Sequence, residues 1–433
     1  MSNKPTSKEG LVRGIGRWDL VAVVINGVIG AGIFGLPKTV FGNIGVYSLI
    51  AFAVCALIVT LIILCFAEVG SRFDQTGGPY LYAREAFGPV VAFEVGWLIW
   101  LARITAFAAN CNLMISYLAF FRPGAATPVP RAVIIVLVVL TLASLNILGV
   151  RQAAIVSNVF TIGKLVPLLV FVAVGVFFLN PNAYTAGAVP NTAAFSTSVL
   201  MLIYAFTGFE MAAIPAGEIR DPQRNLPKAL VIAMVVVATL YILIQVVCIG
   251  TLPNLASSEK PLADAALRFM GTSGAAFISA GAVISIVGNL NIILLSGSRV
   301  PFAIAEQKQL PGFLGAVHKR FLTPHVSITL TAVLMLALTL VGSFEAAVTI
   351  SAIARLVTYA ATCAALPVLR RRKEISPPMF HLRGGTLIAI AALVLAAWLL
   401  YSVKWVNAWQ VGLAAAVGFV FYFAYRFYLA RAS

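Results

Sequence analysis

Charged side chains are scarce in this chain, 10% of its 433 residues against 61% hydrophobic. A soluble domain carries about a quarter charged residues, so the scarcity excludes an ordinary water-soluble fold. Histidine is scarcer still: His318, His325 and His381 are the whole supply, scattered in or beside expected cytoplasmic loops. That excludes a histidine metal site and a histidine proton relay. The five cysteines, at positions 55, 65, 111, 248 and 363, lie inside apolar runs without paired spacing. They exclude a zinc site and a disulfide framework and read as small core hydrophobes. Polar stretches are short, and with no long loop there is no room for a soluble catalytic domain. Neither a carboxylate pair nor a nucleophile with its base stands in the apolar runs, so no enzyme activity and no cofactor are expected.

What fills the chain is apolar sequence, with a mean hydropathy of +1.00. Runs long enough to cross a bilayer as helices, about 20 residues each, recur throughout. About twelve are expected, at 19–42, 46–71, 90–120, 131–149, 152–179, 196–219, 227–252, 273–304, 325–342, 345–369, 384–402 and 408–427. The runs are continuous and lack the period-two alternation of a barrel strand, so the expected fold is an all-α integral membrane protein. The first eighteen residues are polar and basic, and the span after them is too long for a signal-peptide core, so the first helix is expected to stay in the protein.

Lys and Arg number 30 against 14 Asp and Glu, a net charge of +16. Their placement decides what the excess means. With a cytoplasmic N-terminus about twenty fall on cytoplasmic segments. Six lie near the outside (Lys38, Arg122, Arg131, Lys260, Arg268, Lys404), and four lie within or near the membrane (Arg103, Lys164, Arg299, Arg355). This is the positive-inside pattern, which places both termini in the cytoplasm and reads the basic run Arg370 to Lys373 as a topology anchor, with no nucleic acid partner.

Residues 25–37, "INGVIGAGIFGLP", contain G-x-G-x-x-G at Gly30, Gly32 and Gly35. A dinucleotide loop needs a preceding strand and an acid about 20 positions on, and neither is present. Gly27 with Ala31 has the small-xxx-small spacing of tight helix packing. A second interruption, "LIYAFTGFEMAAIPAGE" at 202–218, lies five spans later, with Thr207, Gly208, Glu210 and Pro215 inside an apolar run. Glycine costs roughly 1 kcal/mol and proline about 3 in a helix interior, so both spans are expected to break near mid-membrane. Paired breaks at corresponding places are the pointer to a substrate site in transporters built from inverted repeats.

These residues resemble the amino acid/polyamine/organocation superfamily of secondary transporters over nearly the whole chain. The resemblance is carried by "GVIGAGIFGLP", by "CFAEVGSRFDQTGGPYLYAREAFG" (65–88), by "YAFTGFEMAAIPAGEIRDPQRNLPKA" (204–229) and by "SGSRVPFAIAEQKQLP" (296–311). The last departs from the pattern at Pro301 and at Lys308, where a glycine is usual. The resemblance implies a 5+5 inverted-repeat fold: a cytoplasmic segment 1–18, repeats at 19–179 and 196–369, two further helices within 384–427 and a tail at 428–433. It implies that spans 1 and 6 are broken, that Gly30, Ala31 and Gly32 approach the substrate carboxylate, and that the carbonyls of Val28, Tyr204 and Thr207 accept from its ammonium. Tyr204 would also close over the substrate from outside, with Phe206 pointing elsewhere, into core or gate.

Lys164 stands where relatives use an ammonium in place of a sodium ion. Burial disfavours its charged form, so it is expected to couple transport to protons; the bland alternatives are a fixed cation or a side chain snorkelling to the interface. Glu210 reads as a gating or structural carboxylate, or as a direct substrate or proton site. Arg103 must find a partner, and Glu210 is a candidate. Arg299 and Arg355 read as structural, and Glu68 and Glu218 as parts of a cytoplasmic closing network. Asn110, Asn112, Asn289 and Asn291 are expected to bond between helices, with Asn291 near the pocket wall. Asn26 and Met211 fall short of a metal-transport constellation. The expected function is a proton-coupled amino acid symporter of the cell membrane, with exchange as the alternative. Glu210 is the sole mid-membrane acid near the pocket, so a cationic substrate lacks countercharge and a neutral amino acid is expected. Lipid surrounds the helices, and the sequence names no oligomeric partner.

Overall fold

The computed structural model describes residues 16–73, 78–149, 153–210, 219–372 and 377–432, with side chains from Gly163 onward in the third segment. Among these the chain is helical, with no β-sheet. In hydrocarbon every backbone N–H and C=O must be satisfied within the chain, which apolar sequence achieves only by coiling into helices. Fourteen helices follow: α1 (Arg17–Val28), α2 (Ala31–Ile44), α3 (Ser48–Gly70), α4 (Gly78–Phe87), α5 (Pro89–Leu118), α6 (Pro128–Leu148), α7 (Ala153–Gly175), α8 (Thr192–Ala205), α9 (Pro222–Thr251), α10 (Pro261–Glu306), α11 (His325–Val341), α12 (Phe344–Arg371), α13 (Gly385–Tyr401) and α14 (Trp405–Ala432). Seven helical runs are long and apolar enough to cross a membrane.

Local chemistry sets the ends. Proline opens α5, α6, α9 and α10, where its missing N–H costs no hydrogen bond. Asn191 caps α8 by accepting from the Ala194 amide at 2.8 Å, and Ser343 caps α12 through Ala346 at 3.3 Å. Two segments expected as loops are partly helical. α4 lies between the second and third spans, and the opening segment of α10 runs along the protein before the chain turns at Gly271, φ 67. Lys308 takes φ 55, the left-handed backbone that suits the glycine usual there.

Six of the larger packing pairs are α5 with α10, α3 with α9, α2 with α8, α6 with α11, α5 with α12 and α7 with α10, alongside α1 with α9, α4 with α5, α5 with α11 and α12 with α13. Exchanging α2, α3, α5, α6 and α7 for α8, α9, α10, α11 and α12 maps the first six onto themselves. α5 is the inner pillar, 72% buried over its apolar window, whereas α14 is 11% buried and presents Phe419, Val420, Phe423 and Phe427 outward. All five cysteines are buried.

The first span is broken where expected. α1 ends at Val28, the following Ile29 amide still reaches Ile25 O at 2.9 Å, and α2 starts after Gly30. The sixth span breaks after Ala205; Met211, Pro215 and Glu218 lie outside the described residues, as does Lys373. The two breaks meet backbone to backbone. Gly208 has φ 112, and a Cβ there would run into the Gly27 carbonyl and lie 3.1 Å from the Val28 amide nitrogen. Both backbone strain and contact therefore demand glycine. Gly208→Ala is expected to lower the melting temperature, whereas Gly124→Ala, whose Cβ meets nothing, should leave it unchanged. Equal melting temperatures for the two variants would contradict this account.

Candidate functional site

A narrow buried cavity lies where the two breaks face the pillar helices. Gly27, Val28, Gly30, Ala31 and Gly32 line it from the first break, and Tyr204, Thr207 and Gly208 from the second. The opposite wall is Arg103, Ala106 and Asn110 of α5, Asn289 and Ile293 of α10, and Arg355 of α12. α2 starts at this cavity without a side-chain cap. Its first-turn N–H groups and the positive end of its dipole thus face the space, the arrangement that holds a carboxylate.

The acceptor side is already engaged. The Tyr241 hydroxyl of α9 lies 3.2 Å from the Val28 carbonyl oxygen and 3.3 Å from that of Ala205, so one phenol serves both breaks. The Tyr204 carbonyl accepts from the Thr207 hydroxyl at 2.8 Å and the Thr207 amide at 3.3 Å. The Tyr204 side chain crosses to α5, where its oxygen accepts from Asn110 Nδ2 at 2.6 Å. Asn110 Oδ1 accepts from Asn289 Nδ2 at 3.0 Å, and that amide fills the space a Cβ on Gly30 would need. One amide relay therefore ties the pillar helices to both breaks.

Charge gathers on the far wall. Glu210, buried just past the second break, accepts from Arg103 at 3.4 Å, from Arg355, from the Tyr359 hydroxyl at 2.8 Å and from the Gly208 amide at 2.8 Å. The candidate pair Arg103–Glu210 is present, and Arg355 joins it. Ser351, one turn before Arg355, donates to the Ala102 carbonyl at 2.9 Å and fixes α12 against α5. On the other side of the first break, Lys164 is fully buried. Its ammonium donates to the carbonyls of Asn26 at 2.9 Å and Ile29 at 3.0 Å. A cation at the C-terminal end of α1 opposes the negative end of that helix dipole. Lys164 does not snorkel.

Asn291, expected near the pocket wall, lies away from the cavity, as do Phe206 and Asn112. Asn291 turns to α6, where its Oδ1 accepts from Asn146 Nδ2 at 2.9 Å, and Asn289 takes the pocket wall in its stead. The cause is helical phase: residues 289 and 293 share a face of α10, and 291 points to the opposite one. Phe206 is core, packed on Phe52 and Tyr241. Asn112 joins Arg131 at 2.6 Å and the Gly342 carbonyl at 3.2 Å, between α5, α6 and the end of α11. The same phase argument would have found Asn110, since 103, 106 and 110 form one stripe of α5. No sequence signal pointed to Tyr241, one aromatic in a long apolar run.

Arg299 bonds its own helix, to Leu295 O and Ser298 Oγ. Glu68 anchors the end of α3 to the end of α12, accepting two bonds from Arg370 at 2.7 and 2.6 Å and one from the Leu382 amide at 2.9 Å. Among the described residues no group of His, Cys, Asp and Glu could hold a metal ion. A wider groove at the end of the bundle where α2 closes and α8 and α12 begin is lined by Lys38, Thr39, Asn43, Thr197, Glu345 and Asn407.

Residues 15–429 match the family model described as amino acid permease. The chain is 27% identical to the methylthioribose transporter of Bacillus subtilis (strain 168), over 97% of this chain and 95% of the relative. It is 30% identical to the serine/threonine exchanger SteT of the same organism, over 85% and 86% of the two chains. To the branched-chain amino acid permease BcaP, also of Bacillus subtilis, it is 25% identical over 97% and 94%.

Proposed function

This chain belongs to the amino acid permease family, a family of transporters and not of enzymes, and on that premise we propose that it imports an amino acid across the cell membrane by alternating access, as a proton-coupled symporter. The observation that carries the reading is the meeting of two helix breaks around one cavity, with uncapped N–H donors on one break and a buried ammonium holding the end of α1. The substrate carboxylate sits on the amides of Ala31 and Gly32. Its ammonium takes the remaining lone pair of the Val28 carbonyl and the Thr207 carbonyl, and reaches the Tyr204 carbonyl by displacing the Thr207 hydroxyl that now donates to it.

Six packing pairs that exchange among themselves support two inverted repeats, 19–179 and 196–369, and the distribution of Lys and Arg along the sequence supports both termini in the cytoplasm. Opening to either side then moves the broken helices against the α5, α10 and α12 wall and separates the Tyr204–Asn110–Asn289 relay. Lys164 is the coupling group. When it carries its proton it clamps the end of α1, and when neutral it donates more weakly to those carbonyls. Exchange is the second reading, favoured by the relative named as a serine/threonine exchanger.

Uptake of labelled amino acids into proteoliposomes separates the two. An acidic exterior is expected to drive accumulation into empty vesicles. Transport that ignores the pH gradient and requires internal amino acid would establish exchange in place of symport.

A further inference from the structure

The charges around the cavity do not balance. Arg103 and Arg355 bring two guanidiniums, and Glu210 is the one carboxylate that meets them. Among the described residues no other acid lines the cavity. A guanidinium does not give up its proton, so the wall keeps one uncompensated positive charge. Burying an unpaired charge is expensive, and a closed state around a zwitterion of zero net charge would retain that expense.

The two arginines are not equivalent. Arg355 pairs closely with Glu210, and its Nε donates to Ser351 at 3.4 Å. Among the described residues Arg103 makes a single, long 3.4 Å bond, to the same Glu210 oxygen, with 2% of its side chain exposed. Its stem packs toward Gly297, where a Cβ would lie 3.3 Å from Arg103 Cβ, and its side chain contributes to the cavity wall. Most of its N–H fork is therefore left for a partner inside the site. A planar fork of that kind matches a carboxylate in bidentate fashion. The acceptor side offers less, because the Val28 and Tyr204 carbonyls already receive hydroxyl donors. The site is better furnished to hold two anionic groups than one.

We propose, resting on the amino acid transport reading above, that the substrate is an amino acid whose side chain ends in a carboxylate, and that the Arg103 guanidinium selects it. The backbone carboxylate sits at the start of α2 and the side-chain carboxylate at Arg103, which cancels the surplus charge of the closed site. The expectation of a neutral substrate came from counting acids. With Glu210 engaged by both arginines, the same count gives a wall of net positive charge.

The test is uptake of labelled aspartate, glutamate, serine and leucine into proteoliposomes at one pH, in gluconate medium so that chloride cannot serve as the second anion. Aspartate or glutamate is expected to exceed serine and leucine by about tenfold or more, the worth of a charged hydrogen bond. Arg103→Gln should remove that preference, and Arg103→Lys should restore part of it. Faster uptake of serine or leucine by the unaltered protein overturns the proposal and leaves the transport reading standing; absence of uptake for every amino acid removes both. A thermal-shift measurement on the unaltered protein stands in should Arg103→Gln not fold. Glutamate or aspartate is expected to raise the melting temperature more than serine, and the reverse order overturns the proposal.

Discussion

Glu210→Ala is expected to destabilise the folded protein by about 3–5 kcal/mol, the cost of removing one partner from a buried charge cluster, and to abolish transport. The carboxylate is the single acceptor shared by Arg103, Arg355, Tyr359 and the Gly208 amide. Its loss leaves two guanidiniums facing each other without a counter-ion and strips the second break of the side chain that holds its backbone. Thermal unfolding in detergent, read alongside the yield of monodisperse protein, measures the effect. Glu210→Gln should be milder, because the amide still accepts one bond. The double variant Arg103→Gln with Glu210→Gln should recover stability relative to Glu210→Gln alone, since it removes one of the stranded cations. A Glu210→Ala protein as stable as the parent would mean that the cluster does not hold the break.

Lys164→Ala is expected to reduce accumulation driven by a pH gradient by about tenfold or more, within the range of ordinary coupling energies, while exchange of internal for external amino acid continues. The contrast follows from where the ammonium binds. It touches the carbonyls of Asn26 and Ile29 and not the cavity lining, so its removal loosens the end of α1 without deleting a substrate contact. Counterflow at equal internal and external pH is the control, because it needs the alternating movement but no net proton flow. Undiminished accumulation in Lys164→Ala would place the proton on another group. Lys164→Met, which keeps the length of the stem, separates the loss of the amine from a packing defect.

The membrane class and both helix breaks were legible because they rest on local properties: continuous apolar runs, and glycines in places where a helix pays for them. The Arg103–Glu210 pair was legible as a possibility, since a buried guanidinium must meet an acid. That Arg355 shares the same carboxylate was not, because the contact spans 145 positions of sequence and depends on how α12 packs against α5. Choosing Asn291 over Asn289 failed for a different reason: both asparagines are equally polar, and helical phase relative to a known wall residue decides between them. The helical opening of α10 was hidden by its composition. "PLADAALRF" is too short to cross a bilayer and carries Asp264 and Arg268, yet Leu262, Ala263, Ala265 and Ala266 face inward while Leu267 stays exposed.

The burial of every cysteine carries a practical consequence for following the alternating movement. Cys55, Cys65, Cys111, Cys248 and Cys363 all sit inside helix packing, so a water-borne maleimide meets no native thiol at the surface of the folded protein. A cysteine introduced at Asn43 or Thr197 would be the one reactive thiol on the groove beside Lys38 and Glu345. The rate at which it takes up label then reports how often that side stands open, on the unaltered cysteine background.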